Sequence, residues 1–104
     1  MGKKDNIEQL TNLMSRALRH KIGSIVNENE IYAAAYARDS EILMKEAEKV
    51  IRKQNWNNYD KEKIKERLRV KLKKELTEKD FLDNRKFEVM NEEIDKALKN
   101  FDLD

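Results

Sequence analysis

Proline is absent from this 104-residue chain, and glycine stands only at positions 2 and 23. These two residues interrupt helices most strongly, so almost no position forbids helical backbone. Apolar side chains recur three or four residues apart along the chain, the spacing of one face of an α-helix. No stretch shows the alternation of a half-buried strand. The fold class expected is all-α.

The periodicity places the helices. The first is expected over 5–22, with Ile7, Leu10, Met14, Ala17, Leu18 and Ile22 on one face. Asp5 suits its N-cap and Gly23 its end, although Ile25 and Val26 extend the stripe. Asn27-Glu28-Asn29-Glu30 has the form of a capping box, with Asn27 as the cap. A second helix then spans 28–54. Its first half, Ile31 to Ala37, is apolar around most of its circumference, as expected at the centre of a bundle or an oligomer. Asn55-Trp56-Asn57-Asn58 favours a turn. A third helix follows over 59–76, burying Ile64, Leu68, Leu72 and Leu76. A short helix over 78–83 brings Phe81 and Leu82 inward, and a last helix spans 87–101. Residues 102–104 are expected to fray. The architecture expected is a small antiparallel helical bundle, three long helices plus one or two short C-terminal helices, forming one domain over 1–104.

Composition limits what such a bundle does. Hydrophobic residues make up 38% and charged residues 42% of the chain. A core forms from so lean a supply only if nearly every apolar residue lies on a buried stripe. The periodic spacing and a net charge of +2 argue against disorder. A domain this lean draws part of its stability from a second copy or a partner. The absence of cysteine excludes a disulfide framework, a thiolate metal site and a cysteine nucleophile. With His20 as the single histidine, no metal centre is expected. Two glycines cannot build a phosphate loop or a dinucleotide fingerprint. Neighbouring acids such as Glu92 and Glu93 diverge by about 100° on a helix, so they do not converge on a substrate. No catalytic residue, cofactor or small-molecule substrate is expected. No apolar run approaches the roughly 18 residues of a membrane span. Residues 1–6 lack the apolar core of a signal peptide, and Asn6 stands where myristoylation needs Ser or Thr. The expectation is a cytoplasmic protein.

Two surfaces carry the functional candidates. The first is apolar: Tyr32, Ala33 and Tyr36 in the second helix, with Phe87, Met90 and Ile94 in the last. Alanines let a neighbouring helix approach closely, and tyrosines supply broad contact area with a polar tip. Either the bundle's own core or a protein interface accounts for them. As an interface they pair with another protein or with a second copy of the chain. The second surface is basic. Residues 51–76 carry ten basic and four acidic side chains, whereas residues 77–104 carry five and nine. Lys63, Arg67, Lys71 and Lys74 form one column covering roughly 80° of the third helix. Such a column tracks phosphates, with Trp56 upstream to stack on bases. Alternatively, its side chains cover apolar surface with their stems, or the acidic last segment packs across them, leaving Trp56 as a lid on the bundle end. The expected function is a non-enzymatic protein-interaction or assembly module, with nucleic-acid binding through the basic helix 61–74 as the alternative.

His20 supplies a remote alternative. The stretch His20-Lys21-Ile22-Gly23-Ser24 resembles the phosphorylated helix of histidine-phosphotransfer domains, whose pattern is His-x-x-Lys-Gly-Ser/Ala. The resemblance implies phosphoryl transfer through His20. It covers five residues, and the lysine follows the histidine by one position instead of three. Arg16 and His20 also resemble the Arg-x(4–6)-His pair of helical HEPN ribonucleases, but only three residues separate them.

Overall fold

The computed structural model describes residues 2–27, 29–79 and 84–104. Among these, every regular element is helical. Helix α1 spans Lys3–Val26, α2 Glu30–Ile51, α3 Asn58–Glu78 and α4 Arg85–Asn100, with 24, 22, 21 and 16 residues respectively. Beyond Lys79, the expected short helix 78–83 and the inward turn of Phe81 and Leu82 lie outside the described residues.

Local chemistry sets the helix ends. Helix α1 runs straight through Gly23, which the sequence marks as its stop. Gly23 is instead a site of close approach: a Cβ there would sit 3.1 Å from Cδ2 of Tyr36. The missing side chain makes room for the tyrosine ring, and Val26 is buried one turn further on. Asn29, not Asn27, caps α2. Its side-chain oxygen accepts from the amides of Ile31 and Tyr32 at 3.0 and 3.2 Å. The Asn27 side chain accepts from the Asn29 amide at 2.8 Å, a turn that fixes the entry to α2. Helix α3 opens on a reciprocal capping box. The Asn57 side chain accepts from the Asp60 amide at 2.8 Å, and the Asp60 carboxylate accepts from the Asn57 amide at 3.1 Å.

The chain's last residues dock rather than fray. Asp102 takes a left-handed backbone conformation, with φ of 55°. The Leu103 amide then donates to the Leu98 carbonyl at 2.8 Å, and the Asp102 amide to the Lys99 carbonyl at 3.2 Å. This is the Schellman arrangement, and both Leu103 and Leu98 are buried, supplying its usual apolar contact. Asp102→Gly is expected to raise stability by about 0.5 kcal/mol in a urea melt. Glycine relieves the left-handed strain but loses more entropy on folding.

Helix directions follow from the cross-chain contacts. Lys3 meets Asp60, Glu8 meets Arg67 and Arg19 meets Glu75, so α1 and α3 run parallel. Gly23 lies under Tyr36 and Lys21 meets Glu93, so α2 and α4 run opposite to α1. Helix α1 is the common element: α2, α3 and α4 all pack on it, α4 also packs on α3, and α2 packs on α1 alone. The core is built from rows at helical spacing. Leu10, Met14, Leu18 and Ile22 of α1 face Ile64, Leu68, Leu72 and Leu76 of α3 and Ile94 and Leu98 of α4, all at 0 or 1% exposure. Helix α2 contributes only Ala47 and Val50 to the buried apolar set. Its apolar first half is therefore not the centre of the bundle, which removes one of the two placements expected from sequence.

Candidate interaction surfaces

The α2 helix divides lengthwise into two unequal faces. The inward face carries Tyr36, Ser40, Leu43, Ala47 and Val50, spaced by three and four residues. The opposite face carries Ile31, Ala34, Ala35, Arg38 and Ile42. With only one neighbour, α2 leaves that second face in solvent: Ile31 is 79% exposed and Ile42 56%. Tyr32 continues the inward row one turn before Tyr36, at the open end of the helix, and is 61% exposed. The two exposed isoleucines of α2 lie on one face with Ala34 and Ala35, interrupted only by Arg38, unlike single scattered surface residues.

The six residues expected at a protein interface separate accordingly. Tyr32 faces solvent, while Ala33 and Tyr36 are half-buried. The Tyr36 ring covers Gly23 and meets His20 edge-on at 5.9 Å between centroids. Phe87 is 38% exposed. Met90 and Ile94 are core residues, so the amphipathic stripe of the last helix is spent inside the bundle. The sequence reading missed Ile31, Ala34 and Ile42 as outward residues. A helical wheel of α2 alone carries the signal, because it shows two apolar stripes where a helix with one neighbour uses one.

A groove of about 420 Å³ separates α2 from α4, with Leu18 of α1 among its lining residues. Ala37 and Met44 line it from α2, and Ala97 and Phe101 from α4. Glu93 also lines it, although its side chain is only 4% exposed. Lys21 Nζ lies 3.0 Å from Glu93 Oε1 and Lys96 Nζ 3.4 Å from Oε2. The Lys21 contact is an ion pair without a well-directed hydrogen bond. Carboxylates of Glu92 and then Glu93 beside Lys96 raise its pKa above the usual lysine value.

The basic column lies on the flank of α3 away from α4. Helix α4 does not cross it, because it meets the opposite flank around Lys61, Glu62 and Lys65. Its partner comes from α1. Glu8 takes ion pairs from Lys71, at 2.6 Å, and from Arg67, and Asn12 accepts from Lys71. Lys63 lies over the Tyr59 ring, 5.7 Å from the centroid. Among the described residues Lys74 has no ion-pair partner, and it remains exposed. Trp56 is turned inward: it packs against the core, and its indole N–H donates to the Ile51 carbonyl at 2.9 Å. It closes the bundle end and offers no stacking platform.

Two carboxyls are held below their usual range by these contacts. Hydrogen bonds from Lys71 and then Arg67 lower the pKa of Glu8, and a hydrogen bond from Lys3 lowers that of Asp60. Each contributes stability that is complete above the ordinary carboxyl value and is lost as pH falls through the lower folded value. Acid unfolding followed by circular dichroism is therefore expected to steepen below about pH 4. Glu8→Gln removes part of that slope.

His20 is mostly covered. Nδ1 lies 2.8 Å from the Arg16 carbonyl, so that nitrogen carries the proton and donates. Nε2 faces Asp39 at 3.9 Å. A carboxylate beside Nε2 repels an incoming phosphoryl group, so the geometry lends the phosphotransfer resemblance no support. The described residues contain no cluster of three or more potential metal ligands. They contain no helix long and apolar enough to cross a membrane. Searches of family models, curated proteins and solved structures find no match to the chain.

Proposed function

We propose that the protein is a non-enzymatic interaction or assembly module that presents the outward face of α2 to another polypeptide. The observation that carries this reading is the packing of α2 on α1 alone, which leaves Ile31 and Ile42 in solvent on one face. Of the seven large hydrophobic side chains exposed among the described residues, Ile31 and Ile42 share this one helix face. Recognition of helix faces by other helices uses anchors at this spacing. The lack of cysteine suits a reducing compartment, and we place the module in the cytoplasm.

Photo-crosslinking tests the reading. A benzophenone side chain placed at position 42 or 31 is expected to form protein adducts, and one at position 66 on the exposed face of α3 is not. Equal yields at all three positions, or none, would sink it.

Nucleic-acid binding is the second reading, favoured by one observation: the column from Lys63 to Lys74 is left uncovered by α4. Against it stand the single carboxylate of Glu8, shared between Arg67 and Lys71 and cancelling one of their two charges, and the inward Trp56. Binding to mixed-sequence single- and double-stranded nucleic acid that falls about tenfold or more between 50 and 200 mM salt, and is lost on reversing the four charges, would promote it.

A further inference from the structure

We propose that the partner of the α2 face is a second copy of the same face, laid antiparallel across a two-fold axis. The inference rests on the interaction reading and adds the identity of the occupant. Ile31 and Ile42 stand eleven residues apart, about 16 Å along the helix. Ala34, Ala35 and Arg38 lie between them. Turning one copy end for end sets Ile31 of each chain against Ile42 of the other. Ala35 then faces the stem of Arg38 of the second copy. Ala35 and Arg38 stand equally close to the axis, so the small alanine makes room for the Arg38 stem while the arginine head group reaches solvent. An isologous contact of this kind requires one self-complementary surface and no other.

Charge complementarity selects this occupant. Glu30 lies at one end of the face and Lys45 at the other, on the same flank, and neither has an ion-pair partner among the described residues. The neighbouring charges Glu46, Glu48, Lys49 and Arg52 are paired within their own chain. In the antiparallel pairing each Glu30 reaches Lys45 of the second copy. A parallel pairing puts Glu30 and Lys45 of the two copies on opposite flanks of the seam, where they do not meet. Glu30, Arg38, Glu41 and Lys45 together carry no net charge, so two copies of the face do not repel. Opposed helix dipoles favour the same orientation. A single helix-on-helix contact falls at the small end of interface sizes, so the dimer expected is a weak one.

The test is sedimentation equilibrium of the full chain from about 10 µM to 1 mM, with circular dichroism melts as the check on folding. The expected result is reversible dimerisation of the 12.4 kDa chain. Ile42→Lys is expected to abolish it without altering the melt, because Ile42 is more than half exposed in the monomer. Glu30→Lys and Lys45→Glu are each expected to weaken it about tenfold, and the double exchange E30K/K45E to restore it. A chain that stays monomeric at 1 mM overturns the proposal. So does a dimer indifferent to Ile42→Lys or unrestored by the double exchange. In any of these cases adducts from position 42 to a different protein would leave the interaction reading standing.

Discussion

Leu68→Ala is expected to lower the unfolding free energy by about 3 kcal/mol, within the usual range for emptying a filled core site. Leu68 is fully buried in the middle of α3, flanked in its row by Ile64 and Leu72, which are also fully buried. The cost combines the lost transfer energy of the side chain with the cavity left behind. Few other apolar groups stand ready to refill the space, because the supply is lean. Stability near 5–15 kcal/mol is usual for a domain of this size, so the loss is a large fraction of the whole. Urea denaturation should show a lower midpoint at unchanged slope. Val70→Ala, two residues along and 65% exposed, is the control and should change stability by less than about 0.5 kcal/mol. Equal effects at both positions would mean that α3 faces the core with a different side.

Lys21→Met is expected to cost about 2 kcal/mol, whereas Glu93→Met should be near neutral. The asymmetry follows from burial. Glu93 is almost enclosed while Lys21 is 46% exposed. Removing the lysine leaves a buried carboxylate with Lys96 at 3.4 Å as its remaining ion-pair partner. Removing the glutamate frees its neighbours to meet water and fills the site with an apolar side chain of similar volume. Breaking a buried pair from one side is costly because of the charge left behind, while replacing the charge itself often costs nothing. The partial exposure of Lys21 places the expected loss at the low end. Equal losses from the two substitutions would contradict this account and make the pair a net stabilising unit.

Much of the fold is legible in the sequence where one residue type decides the outcome. The leucine row of α3 and the alternating stripes of α1 and α4 read directly, because large apolar residues at a spacing of three and four have one low-energy place to go. Position 23 misleads. Glycine ends helices often, but here it serves a tyrosine thirteen residues later, a contact that no local rule contains. The alanine-rich start of α2 misleads for a different reason. Alanine favours helix wherever it sits and loses little by facing water, so an all-round apolar helix built from alanine need not be central. The basic column is also visible on a wheel of α3. The pairing of Arg67 and Lys71 with Glu8 is not, because it depends on α1 and α3 lying parallel in one register. Met90 and Ile94 show the same limit: a stripe announces that it will be covered, not by what. Asp102 breaks the expectation at the C-terminus, since the left-handed turn that buries Leu103 is usually made by glycine.

Because the backbone of α2 lies close to α1 and to no other helix, the molecule has two levels of cohesion. Peeling α2 away opens one seam and leaves the α1–α3–α4 contacts intact. Hydrogen exchange should accordingly separate into a slow tier in α1, α3 and α4 and a faster one in α2, fastest toward Glu30. The same element that carries the exposed isoleucines is thus the detachable arm of a three-helix unit. Any ligand that grips the arm also clamps it to its seat, and occupancy will register as slowed exchange along the whole of α2.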